Sequence, residues 1–250
     1  MSTLDHSHDR GSDVATMGTD EVGHTHADVS GGWLRAATFG AMDGLVTNVA
    51  LVAGIGAAGV DAKVVLTAGA AGLVAGACSM ALGEYASVST QNEAIDQEVS
   101  VESREIRENP KGEMAELAHM FEGMGMTAKT AAGAAREVHR NHDQAVRVHI
   151  SHELGLDPTE KPSPMTAAVW SFLMFSVGAA IPLIPYLLGF SSLFAGLAVG
   201  GVGLFAAGAI ASLFSGTRWW YAATRQLFYG ALAAGVTYLV GSLLGLSVAP

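Results

Sequence analysis

Cysteine is nearly missing: Cys78 is the only one in 250 residues. A lone thiol inside an apolar run excludes a disulfide framework and a cysteine zinc site, and reads as a small packing residue. Charge is scarce too, at 14% Asp, Glu, Lys and Arg against 50% apolar residues. Soluble domains carry about a quarter charged residues, so this deficit excludes an ordinary globule and points to a chain embedded in lipid. No proline precedes Pro110, so helices in the first hundred residues have nothing of that kind to break them. No acid lies beyond Glu160, and only Asp43, Asp61 and Glu84 lie in or between the first two apolar runs. The net charge of −10 is therefore concentrated in one part of the chain. It argues against nucleic acid as a partner and for cations.

What is abundant is glycine, at 31 residues, much of it inside long apolar runs, which suits closely packed helices in a bilayer. Residues 1–32 lack the basic-then-apolar layout of a signal peptide and are expected to form a cytosolic tail without fixed structure. This tail carries two near-copies of H-x-H-x-D, around His6 and His24. Loose metal binding and incidental histidines both fit it. The expected fold is an all-α membrane protein with five transmembrane helices and a cytosolic three-helix metal-binding module between spans 2 and 3. Residues 33–92 carry spans 1 and 2, over about 33–58 and 64–82. Residues 93–165 form the module, and 166–250 carry spans 3 to 5, over about 166–188, 193–214 and 227–248. Pro182 and Pro185 should bend or interrupt span 3, and Arg218 to Arg225 reads as an interfacial loop with an aromatic belt. With five spans, twelve of the thirteen Lys and Arg residues share one side, leaving Lys63 opposite. The positive-inside rule makes that side the cytosol.

Within span 1 the only ionisable side chains are Arg35, at the edge, and Asp43. A rise of ~1.5 Å per residue puts Asp43 roughly 15 Å in from Trp33, near the bilayer midplane. A carboxylate there costs on the order of 2.5–3.5 kcal/mol on insertion scales, so it should face a partner, a cavity or a cation. Gly40 and Gly44 flank it with the spacing that lets another helix come close. Met80 and Glu84, one turn apart on span 2, would face the same groove if the two spans pack antiparallel, and Thr47 and Asn48 could add oxygens. A thioether with two carboxylates suits Fe²⁺ or Mn²⁺ in transit; packing alone also accounts for Met80.

Residues 93–161 hold fourteen acids, eight bases and five histidines, with no run long enough to span. Glu98, Glu102 and Glu105 fall on one helical face. Glu113 and Glu116 repeat the spacing on a second helix, from about 113 to 122, and His149, His152 and Glu153 share a face of a third, over about 127–153. Oxygen and nitrogen donors striped along three successive helices can converge on divalent ions. Taken singly, each pair also describes a solvated face.

Three motifs then resemble one family. Phe39 to Gly54 (FGAMDGLVTNVALVAG), Ser79 to Ser87 (SMALGEYAS) and Ile181 to Tyr186 (IPLIPY) are similar to the vacuolar iron transporter (VIT/CCC1) family, and the likeness runs from about residue 33 to the carboxyl end. The resemblance implies a five-span homodimer in the bilayer that exchanges cytosolic Fe²⁺, and often Mn²⁺, for protons. No prosthetic group and no enzymatic activity are implied. Asp43 and Met80 match its translocation path, and Glu102, Glu105, Glu113, Glu116 and Glu153 match its module. The chain departs from plant members at His149-Ile150, where they carry methionines; imidazole for sulfur leaves the preference among Fe²⁺, Mn²⁺ and Zn²⁺ open. The compact loops and histidine-rich tail point to a bacterial inner membrane, with a vacuolar membrane as the alternative. A membrane-tethered iron buffer or ferroxidase, with the spans as anchor, is the alternative reading.

Overall fold

The computed structural model describes residues 32–155, 158 and 161–248, so the histidine-bearing tail lies outside the described residues. All regular structure among them is helical. Five helices are long and apolar enough to cross a membrane, namely Trp33–Ala57, Ala62–Glu108, Pro164–Leu187, Leu193–Ser215 and Trp219–Gly245. The elements are α1 (Trp33–Ala57), α2 (Ala62–Glu108), α3 (Pro110–Gly123), α4 (Ala128–Val138), α5 (His142–Glu153) and α6 (Pro164–Ala180). A 3-10 turn at Ile181–Leu183 then leads to α7 (Ile184–Leu187), α8 (Leu193–Ser215) and α9 (Trp219–Val248).

α1 is the hub of the membrane part and packs on α6, α9, α8 and α2. Small residues make this possible. A Cβ on Gly44 would run into the Phe175 carbonyl oxygen of α6, and one on Gly178 into that of Ala41, so the two backbones touch. Gly54 and Gly241 bring α1 and α9 together in the same way. Without a hydrophobic force between helices in lipid, such contact supplies the packing. Asn48, 1% exposed, adds a polar brace by donating from Nδ2 to the carbonyls of Gly69 in α2 and Ala179 in α6. Replacing Gly44 by Leu should therefore abolish a monodisperse species on size-exclusion chromatography. Gly235→Leu, at a position with open space around it, should leave the profile unchanged.

α2 has 47 residues and extends roughly 70 Å, so its apolar half spans and its polar half projects beyond. On that projection α5 packs through Ile106, Ala145, Val146 and Ile150, while α3 and α4 pair through Leu117, Phe121, Ala131 and Ala135. The helix expected over 127–153 is in fact two. The His139 Nδ1–H donates to the Ala135 carbonyl at 2.9 Å, and the Asn141 side chain accepts from the Gln144 amide, ending one helix and starting the next. α3 starts at Pro110, earlier than expected, with the Asn109 side chain accepting from Gly112. The prolines of span 3 do interrupt it, as the 3-10 turn. The Arg218–Arg225 segment is not a loop, since α9 begins at Trp219. The chain's return to the membrane is tied to α2 by a Lys161–Asp96 ion pair and by Asn92 Nδ2 donating to the Pro162 carbonyl.

Candidate metal centre

Because α5 folds back on α2 and α3, side chains from three helices meet. Glu102 of α2, Glu113 of α3 and His149 of α5 are all buried, and one donor atom of each lies within 4.8 Å of the other two. His149 Nδ1 is 3.0 Å from Glu102 Oε1 and 3.9 Å from Glu113 Oε2. Glu153, one turn on, joins at 3.3 Å and accepts the Nδ1 hydrogen bond. Glu102 Oε1 and His149 Nε2 are buried without a hydrogen-bond partner. Buried polar atoms without partners are costly, and a cation would satisfy the carboxylate.

Glu105 and Glu116 are exposed but close enough for their charge to act on Glu102. Glu98 and His152 are exposed, and His152 Nδ1–H donates to the Val148 carbonyl. Burial pushes the Glu102 carboxyl up to about 7, with the negative charges of Glu153, Glu113, Glu105 and Glu116 adding to it. Burial also raises Glu113, as does Glu116, whereas His149 opposes the rise. The metal-free fold thus favours protonated carboxyls. That contribution to stability is fully present below the unfolded value of 4.5 and is lost as pH rises through about 7. Melting of the metal-free chain should fall by a few degrees between about pH 5 and pH 7.5, and a divalent ion should reverse the fall at the upper pH. A flat profile would show that the carboxylates are not crowded in solution.

The membrane candidates are arranged along α1 and α2. Glu84 is buried and forms an ion pair with Arg35 at 2.8 Å, with the Arg35 side chain 63% exposed. This contact and the Asn48–Gly69 bond set the register of the two helices, which puts Asp43 level with about residue 75 of α2. Met80 is then about one turn, and Glu84 two to three turns, nearer the module. Asp43 is half-buried, with the Thr47 hydroxyl in reach of its carboxylate. Met80 is half-buried against Ala77, Phe175 and Ala179. Asn48 spends its Nδ2 on the two backbone carbonyls, and its Oδ1 is buried without a partner.

Two residues escape the sequence reading. Arg35 stands at the edge of a span, where a basic residue needs no special explanation. His139 has His142 and Asp143 at i+3 and i+4, so an unbroken helix would group it with them; only the break after it brings its ring to that of His149 instead.

Five lipid-length helices, a buried carboxylate–imidazole cluster on an extension of the second, and an acid within the first define an integral membrane protein with a candidate metal centre. The chain belongs to the VIT family, whose sequence pattern matches residues 34–242. Among its relatives, a "Vacuolar iron transporter" of Acanthamoeba castellanii is 36% identical over 231 residues, covering 88% of this chain and 83% of that one. "Vacuolar iron transporter 1" of Oryza sativa is 30% identical over 86% of this chain and 88% of its own length, and its namesake in Arabidopsis thaliana is 29% identical over 88% and 90%.

Proposed function

We propose that this chain transports divalent iron, with manganese as a second cargo, out of the cytosol in exchange for protons. One observation carries the reading. A single helix, α2, bears Glu102 of the buried cluster on its projecting half and Glu84 and Met80 near its middle, where the apolar half begins and leads toward the level of Asp43. The module collects the cation and raises its local concentration; Glu84 and Met80 hand it to Asp43. Because a carboxylate must ionise to bind a cation, metal and protons compete for Asp43, and that competition couples the two fluxes. The names of the relatives, vacuolar iron transporters, support iron as cargo. The bias of basic residues supports a cytosolic module. The largely unburied apolar face of α2, with Val64, Val74, Leu82 and Tyr85 exposed, supports a second copy completing the pathway as a homodimer.

At the cytosolic rim the pathway meets Arg35. A passing cation has to take Glu84 from that guanidinium before Glu84 can act as a ligand.

Uptake of Fe²⁺, Mn²⁺ and Zn²⁺ by the full chain in proteoliposomes, with and without a pH gradient, tests the reading. Saturable Fe²⁺ uptake driven by an opposing proton gradient supports it. Tight binding of Fe²⁺ with no metal-dependent proton flux would leave instead the tethered buffer or ferroxidase, a reading favoured only by the cluster's being complete outside the membrane.

A further inference from the structure

His149 is fully buried, and its ring makes two kinds of contact. Nδ1 lies among carboxylate oxygens of Glu102, Glu153 and Glu113, at 3.0, 3.3 and 3.9 Å. The ring also packs edge-to-face against His139, with centroids 5.3 Å apart and planes at 83°. His139 Nδ1 is 2.9 Å from the Ala135 carbonyl oxygen, which can only accept, so Nδ1 carries the proton and Nε2 the lone pair. That Nε2 is buried and has no partner, and the same is true of His149 Nε2 and Glu102 Oε1. Three orphaned polar atoms in one small volume are more than a module this size should tolerate, unless one event satisfies all three.

We propose that His139 is the positioning residue of this site, accepting a hydrogen bond from His149 Nε2–H when His149, with Glu102 and Glu113, holds a divalent cation through Nδ1. The proposal rests on the metal-collecting reading of the module and identifies the residue that orients its nitrogen donor. Without the cation, His149 keeps its proton on Nδ1, donates it to Glu153, and presents a bare Nε2. With the cation, the Nδ1 lone pair goes to the metal and the proton sits on Nε2, with no change in the charge of the ring. At 5.3 Å between centroids, the two rings are close enough for that N–H to reach the His139 lone pair once the two nitrogens turn toward each other. Glu102 Oε1 gains the cation, and the two orphaned nitrogens gain each other. The chain of contacts then runs from metal to His149, to His139, to the Ala135 carbonyl, so that an outer partner holds the ligand's tautomer and orientation. One imidazole among carboxylates favours Fe²⁺ and Zn²⁺ over Mg²⁺ and Ca²⁺, which prefer oxygen alone, and its oxygen-rich remainder still admits Mn²⁺.

Pulsed electron paramagnetic resonance on the full chain in detergent, loaded with less than one equivalent of Mn²⁺, tests this. The expected spectrum carries the nitrogen coupling of a directly bound imidazole, which changes isotope signature when the protein is made with ¹⁵N-histidine. The coupling should vanish in His149→Gln and persist in His152→Gln; the isotope change alone decides whether histidine binds if the first variant does not fold. His139→Phe should keep the coupling but weaken Mn²⁺ binding by about tenfold or more, and His139→Gln, whose amide oxygen still accepts, should restore most of it. Bound Mn²⁺ without nitrogen coupling overturns the role of His149, and unchanged affinity in His139→Phe overturns that of His139. Absence of any Mn²⁺ binding by the unaltered protein would instead remove the metal-collecting reading beneath both.

Discussion

Proteoliposomes carrying Asp43→Asn should take up no more Fe²⁺ than empty vesicles, while the same protein binds metal at the module with unaltered affinity. Asn matches Asp in size, and Asp43 is only half-buried, so the packing of α1 on α6 through Gly40 and Gly44 is preserved. What disappears is the one acid in the interior of span 1, and with it both the cation's anionic partner and the proton acceptor. Titration of metal binding in detergent beside flux in vesicles separates the two effects. Transport at the unaltered rate would take Asp43 out of the pathway, and loss of module binding would mean that the substitution unfolds the protein.

The second large effect is expected from Glu102→Gln combined with Glu113→Gln. These carboxylates sit on different helices and aim at the same point, within 4.8 Å of each other and of His149. Removing an outer-shell partner weakens a metal site by about 10–100-fold, so loss of two ligands should cost at least the upper end of that range. The amides also relieve the repulsion and burial that raise both carboxyls, so the metal-free variant should melt no lower than the parent and lose its pH dependence. If the module is a collector and not the pore, KM for Fe²⁺ uptake rises while the maximal rate holds. A collapse of the maximal rate with unchanged KM would place these residues on the translocation path itself.

Some of this is legible in the amino-acid order. Apolar runs between polar segments mark the five membrane helices, because a spanning segment must satisfy its backbone internally and present apolar side chains to lipid. Gly40 and Gly44 announce a close helix neighbour in the same one-dimensional way, although not that the neighbour is α6. Pro182 and Pro185 announce an interruption. In the module, helical spacing puts donors into stripes but cannot say which stripes face one another. Glu98, Glu102 and Glu105 are equivalent on paper, and in the structure only Glu102 is buried.

The break at His139–Asn141 was the least legible feature, since residues 134–153 hold no proline or glycine to announce it. A side-chain bond from His139 to the Ala135 carbonyl and a cap at Asn141 are local events, yet their consequence is long-range: α5 turns back and His149 enters the acidic cluster. The partnership of Arg35 with Glu84, forty-nine residues apart, is equally invisible to spacing. The amino-acid order by itself therefore determined which segments enter lipid and which carry donors, because the solvent acts on each segment separately. Only the tertiary structure decided which donors share a point in space, because that depends on where helices end and how they fold back, and the energy of a cation site depends on separations of a few ångströms.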